Sequence, residues 1–168
     1  MKELFEAMKE TNDSHMLQAG TVLHDKWVIL EFIGKGGMGE VYRARQLKLN
    51  RDVAVKVVSL EWLEFFYGVE EEVEMGLQRF RREAEAMALI NHPNIVRVYD
   101  HGSASVPVGE KNLAIEYIAT EYLPGGTLRS TMSKEGFYPE EGLTREWIKD
   151  FFLPVLDGVT AIHKAGIV

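Results

Sequence analysis

The chain has 168 residues, 46% of them apolar and 27% charged, a balance ordinary for a globular domain able to bury its own core. A net charge of −7 argues against a surface built for nucleic acid, and the absence of cysteine removes disulfides and thiolate metal sites. No apolar run reaches membrane-spanning length, and Met1–Glu10 breaks up Leu4, Phe5 and Met8 with charge, unlike a secretory leader.

Residues 1–13 form a candidate amphipathic helix or a loose terminus, and Thr11-Asn12-Asp13-Ser14 reads as a linker. Trp27 to Ile33 is apolar apart from Glu31 and suits a buried strand. Gly34 to Gly39 holds four glycines in six positions. Glu40 to Arg45 alternates as a half-buried strand does, and Val53 to Val58 is a third, β-branched strand after the turn at Leu49–Asp52. In that third strand Ala54, Lys56 and Val58 share one face. Residues 61–90 read as helical, with an acidic solvated run at Glu70, Glu71, Glu72 and Glu74. A helical stripe of Leu77, Phe80, Ala84 and Met87 follows, and Pro93 is the stop. Ile95–Asp100 is a strand, Gly102–Asn112 a loop, and Leu113–Leu123 a long strand broken by Pro124-Gly125-Gly126. Leu128–Ser133 suggests a short helix and Phe137–Gly142 a loop. Thr144 caps a helix from Arg145 to Ala165 that Pro154 bends and whose apolar circumference calls for burial on nearly all sides. Strands in hairpin order with one inserted helix give an α+β fold: a five-stranded antiparallel sheet plus one helix, then further helices.

The chemistry concentrates between Ile33 and Lys56. Gly34-x-Gly36-x-x-Gly39 alone is a weak signal, since a plain turn uses glycine as well. Its context narrows it. Gly39 is followed by a strand and not by the helix of a dinucleotide-binding fold, and no Gly-Lys-Ser/Thr ending marks a P-loop. Glycines at a hairpin tip let backbone N–H groups approach phosphates. Lys56, in an apolar strand, needs an anionic partner, and Glu83 lies at the edge of the helical stripe.

With these residues in place the chain resembles the protein kinases, most closely the bacterial, eukaryotic-like serine/threonine kinases. The resemblance spans about residues 20–168. It rests on Gly34-x-Gly36-x-x-Gly39-x-Val41, Val53-Ala54-Val55-Lys56, and Glu83 ten residues before Pro93 in His92-Pro93-Asn94-Ile95-Val96. It continues through Thr120-Glu121-Tyr122-Leu123-Pro124-Gly125-Gly126-Thr127-Leu128 to His163-Lys164-Ala165-Gly166-Ile167-Val168. The resemblance implies that Lys56 meets the ATP α- and β-phosphates and pairs with Glu83. It implies that Ile33, Gly34, Lys35, Gly36, Gly37, Met38 and Gly39 cover the nucleotide, with Val41 and Ala54 sandwiching the adenine unless they are plain core. Glu121 and Leu123 would offer backbone bonds to the adenine edge. Thr120 would guard the pocket behind it, or make a routine strand contact. Met87 and Val98 would join a hydrophobic column, and His92 and His163 read as structural.

The family's His-Arg-Asp, Asp-Phe-Gly and Ala-Pro-Glu motifs are in none of the 168 residues. The reading is therefore 1–20 as extension, 21–123 as ATP-binding lobe and 124–168 as hinge and start of a helical lobe. The Mg2+ ligands are expected outside the chain, protein is the substrate of the intact kinase, and the rest of the helical lobe is needed for stability. The chain alone is expected to be inactive, and the setting cytoplasmic, with membrane attachment of a longer protein left open. A pseudokinase-like binding module is the alternative, and a Rossmann-type oxidoreductase a more distant one.

Overall fold

The computed structural model describes residues 15–36, 39–108, 111–132, 142 and 144–167. The chain divides into two compact units, Met1–Glu85 with Val98–Tyr122, and Ala86–Arg97 with Leu123–Val168.

The first unit is built on one antiparallel sheet. Its strands are β1 (Val22–Leu23), β2 (Trp27–Gly36), β3 (Gly39–Gln46), β4 (Arg51–Ser59), β5 (Val98–Val108) and β6 (Lys111–Glu121), in the order β1-β2-β3-β4-β6-β5. Five long strands thus stand as the sequence suggests, with the two-residue β1 added at the edge. Alternation sorts each strand into two faces. Glu40, Tyr42 and Ala44 of β3 are buried opposite Val57, Val55 and Val53 of β4, while Val41 and Arg43 turn to the other face with Lys56 and Ala54. The first face holds the bulk of the core, including Trp27, Ile29, Tyr42, Val55 and Tyr117. Two residues of the expected 1–20 extension, Met16 and Leu17, are buried in that core too.

One expectation fails here. Gly102–Asn112 is not a loop: β5 runs on to Val108, and β6 already pairs at Lys111, facing Val108. Small and breaking residues hid the strand, but its packing explains them. A Cβ on Gly102 would come within 3.2 Å of the Tyr117 hydroxyl, so a glycine lets the ring lie against the strand. Val106 of β5 and Leu113 and Ile115 of β6 alternate into the core.

The helical stretch is two helices and not one, α1 (Leu60–Tyr67) and α2 (Glu70–Ala88). Ser59 caps α1 by accepting the Trp62 N–H at 3.0 Å. Gly68 ends it in the left-handed region, φ 68°, and donates its N–H to the Glu64 carbonyl. Glu70, Glu71 and Glu72 then fill the exposed first turn of α2, where they favour the helix dipole. The buried stripe of α2 is Val73, Gly76, Leu77, Phe80 and Ala84.

In the second unit a 3-10 turn covers Leu128–Thr131, followed by α3 (Arg145–Trp147), a π-helical turn at Ile148–Phe152 and α4 (Leu153–Lys164). Thr144 accepts the Trp147 N–H at 3.0 Å, the expected cap. Pro154 has no N–H and its ring crowds the carbonyl four residues back. The wide turn relieves this, with the Leu153 N–H bonding to the Ile148 carbonyl. Asn94 docks on α4, its side chain 3.3 Å from Asp157 and its carbonyl against Gly158. The expected burial of this helix on nearly all sides does not hold. Among the described residues of α4 only Gly158 is buried, and Phe151, Phe152, Leu153 and Leu156 are exposed because nothing described lies over them. The expected helix at 1–13 and most of the loop at Phe137–Gly142 lie outside the described residues.

Candidate nucleotide site

Lys56 and Glu83 meet as their spacing suggested. The Lys56 ammonium lies 2.8 and 2.7 Å from the two Glu83 carboxylate oxygens. The lysine comes from the middle of β4, and Glu83 stands one turn after Phe80 on the inward edge of α2. The Phe80 ring centroid is 5.6 Å from the ammonium, a weak cation–π contact on the buried side. The two side chains remain 28% and 38% exposed, so the cation is held in place yet open to a ligand.

Strand register assembles the surface around this pair. Val41 lies opposite Lys56, Ala54 opposite Thr120, and Lys56 opposite Ile118, so these residues share one face of the sheet. The Thr120 hydroxyl reaches the carbonyls of Ala54 and Glu121 at 3.5 and 3.4 Å, a routine strand contact. Glu121 ends β6 opposite Val53. Leu123 belongs to the second unit and is 59% exposed. Ile33 sits at a register shift between the Phe32–Tyr42 and Gly34–Val41 pairs, where β2 bends towards the loop. A Cβ at Gly34 or Gly36 would meet nothing within 4 Å, so the space over both is open. Gly39 differs: φ is +131°, and a Cβ there would sit 2.0 Å from the Val57 carbonyl oxygen. Gly37 and Met38 lie outside the described residues.

Lys35 does not join Lys56. It pairs across the hairpin with Glu40, its ammonium 3.5 Å from the carboxylate, on the opposite face of the sheet.

Sequence reasoning passed over three contributors. Phe80 was read as core alone. Arg81 anchors α2 to β6 through Glu116 at 2.6 Å, a bond that raises the guanidinium pKa further. Glu40 is 1% exposed. It accepts the Met16 N–H and the Tyr42 hydroxyl, and its signal was its place in the alternation with Tyr42 and Ala44. Burial, then the bond to Glu40, pushes the Tyr42 phenol far above its ordinary pKa. A raised phenol pKa means that the folded state holds the proton more tightly. That stability is complete below about pH 10 and is lost as pH rises beyond it, at about 1.4 kcal/mol per pH unit. Urea midpoints measured from pH 8 to 11 should fall more steeply for the wild type than for Tyr42→Phe. Equal slopes would exclude Tyr42 as the source.

A family model described as protein kinase domain matches residues 27–168. The chain belongs to that family. Serine/threonine-protein kinase PknB of Mycobacterium tuberculosis (strain ATCC 25618 / H37Rv) is 44% identical to this kinase domain chain over 116 residues, 68% of the chain and 16% of the relative. A probable serine/threonine-protein kinase of Clostridium perfringens is 36% identical over 149 residues, 89% of the chain and 19% of the relative. One of Streptomyces coelicolor is 37% identical over 138 residues, 81% of the chain and 18% of the relative. The chain therefore spans less than a fifth of the length of these relatives.

Kinase domains use ATP and Mg2+. The residues here fit a triphosphate: open space over Gly34 and Gly36, and a lysine oriented by a carboxylate on the face that carries Val41 and Ala54. Among the described residues no group of three His, Cys, Asp or Glu side chains is arranged to hold a metal. No helix among the described residues is long and apolar enough to cross a membrane.

Proposed function

We propose that this chain is the ATP-holding portion of a serine/threonine protein kinase that transfers the γ-phosphate of ATP to protein hydroxyls. The observation that carries this reading is the Lys56–Glu83 pair, with both carboxylate oxygens on one ammonium, beside the hairpin of Gly34, Gly36 and Gly39. Lys56 neutralises phosphate oxygens, and Glu83 holds the lysine extended towards them. Backbone N–H groups of the glycine hairpin cover the phosphates, and Val41 and Ala54 pack on the adenine. Glu121 and Leu123 bond its edge through their backbones, and Thr120 borders the space behind it. In this reading residues 21–123 are the ATP-binding lobe, 124–168 begin the helical lobe, and 1–20 are an extension. The protein relatives named as serine/threonine kinases support protein as the phosphate acceptor; nothing supports nucleic acid as a partner. A cytoplasmic site of action accords with a substrate that the cytoplasm supplies.

The catalytic base and the magnesium ligands of the family are in none of these residues, so the chain by itself holds nucleotide without transferring phosphate. The exposed apolar side chains of Phe151, Phe152, Leu153 and Leu156 are the seat of further helical-lobe packing. Titrating the purified 168-residue chain with ATP and with NADH tests the reading. Saturable ATP binding without phosphorylation of itself or of a general protein substrate is expected. Preferential NADH binding would overturn the nucleotide assignment, and phosphorylation lost on Lys56→Met would overturn the inactivity of the chain.

A further inference from the structure

Glu40 has a second set of partners that the nucleotide site does not account for. Its buried carboxylate accepts the Met16 N–H at 2.8 Å and the Tyr42 hydroxyl, and draws the Lys35 ammonium to 3.5 Å. Tyr42 in turn accepts the Leu17 N–H at 2.9 Å. Met16 and Leu17 are 3% and 4% exposed, and the His15 ring stacks on Phe32 with centroids 3.8 Å apart. Met16 and Leu17 thus bind one strand, β3, through backbone donors that depend little on side-chain identity, while the His15 ring packs on β2. They lie outside the matched span of 27–168. Glu40 follows Gly39 directly and faces Lys35 across the hairpin. The segment, the strand and the first arm of the glycine loop therefore converge on one carboxylate. A buried carboxylate is tolerated only while its donors stay in place, so the three are coupled.

We propose that Glu40 is a positioning residue, through which the segment His15–Leu17 straps down the neck of the glycine hairpin and sets how closely its backbone approaches the phosphates. The consequence for nucleotide rests on the ATP reading above; the coupling of strap to hairpin does not. Glu40 lies on the face away from Lys56. Its loss should therefore weaken contacts to phosphate and leave those to adenosine alone.

Two variants of the 168-residue chain test this. Glu40→Gln keeps the shape and one acceptor oxygen but loses the charge that holds Lys35. Met16→Pro removes the N–H that the carboxylate accepts. Amide hydrogen exchange at Lys35, Gly36 and Glu40 is measured without nucleotide, and the Kd for ATP and for adenosine by titration. Exchange at these amides should quicken about tenfold in both variants. The ATP Kd should rise about tenfold while the adenosine Kd stays within about twofold. Unchanged exchange in Glu40→Gln overturns the strap. An equal loss of ATP and adenosine affinity overturns the positioning role, leaving Glu40 as general support for the fold. If the parent chain binds neither ligand while exchange still quickens, the ATP reading falls and the strap stands. Should Met16→Pro fail to fold, Glu40→Gln decides.

Discussion

Lys56→Met should remove from about half to nearly all of the stabilisation that ATP gives this chain. The Lys56 ammonium makes charge-assisted hydrogen bonds to both Glu83 oxygens and shares a face with Val41 and Ala54, whereas Arg43 on that face is taken up by Glu31 and Asp52. A hydrogen bond to a charged group contributes about 1.5–3 kcal/mol, so its loss weakens ATP roughly 10- to 150-fold. At an ATP concentration of about 100 times the Kd, binding stabilises the fold by about 2.7 kcal/mol; a hundredfold weaker Kd leaves about 0.4 kcal/mol. The thermal shift should shrink accordingly. Without nucleotide the two proteins should melt within a few degrees of one another, since the pair is partly exposed and contributes little to the fold. Glu83→Gln should have a smaller effect in the same direction, about tenfold in Kd, because the cation remains but is no longer oriented. An ATP shift of wild-type size in Lys56→Met would remove the lysine from the site.

The second large effect concerns the fold. Gly39→Ala should destabilise the chain by about 3 kcal/mol or more, while Gly36→Ala stays within about 1 kcal/mol. The two glycines belong to one motif but occupy different surroundings. At Gly39 the backbone stands at φ +131°, which a residue with a Cβ rarely adopts, and the added carbon would overlap the Val57 carbonyl oxygen at 2.0 Å. Relief requires β3 to move away from β4 where Glu40 pairs with Val57. At Gly36 the added methyl meets nothing within 4 Å. With a urea m-value of about 2 kcal/mol/M, the Gly39→Ala midpoint should lie roughly 1.5 M below wild type. Equal midpoints for the two variants would mean that the hairpin adjusts freely and that Gly39 is not a structural requirement. Gly36→Ala instead projects a methyl over the open side, so its effect should appear in ATP affinity.

The site was legible where local periodicity and spacing carry the information. Alternation in β4 put Ala54 and Lys56 on one face, and the helical stripe through Phe80 placed Glu83 at its edge. What sequence could not show depends on contacts between distant residues. Alternation puts Glu40 on the face of Tyr42 and Ala44, but its buried donor, the Met16 N–H from 24 positions earlier, is not visible in the strand. The resemblance places Lys35 among the residues covering the nucleotide, yet the pairing with Glu40 turns its ammonium to the other face. The β5–β6 hairpin was obscured because Gly102, Ser103, Ser105 and Pro107 carry turn-like composition. The apolar partners that hold it straight, Tyr117 and Leu113, come from the opposing strand. Gly68 was hidden differently: a single glycine inside an otherwise helical run gives no sign by itself that it will adopt φ 68° and end the helix.

The wide turn at Ile148–Phe152 sets the rotational phase of everything after it. A π turn takes in one more residue than an α turn, and each residue of an α-helix advances by about 100° around the axis. Removing one residue from this turn would therefore swing the side chains of α4 by about that angle relative to those of α3. Val159 would then stand where Gly158 now lies against the Asn94 carbonyl, and Asp157 would leave the direction from which it meets Asn94 and His92. Length in this short stretch, more than residue identity, decides which residues of α4 face Asn94. A single-residue deletion there should be far more damaging than any substitution at the same positions.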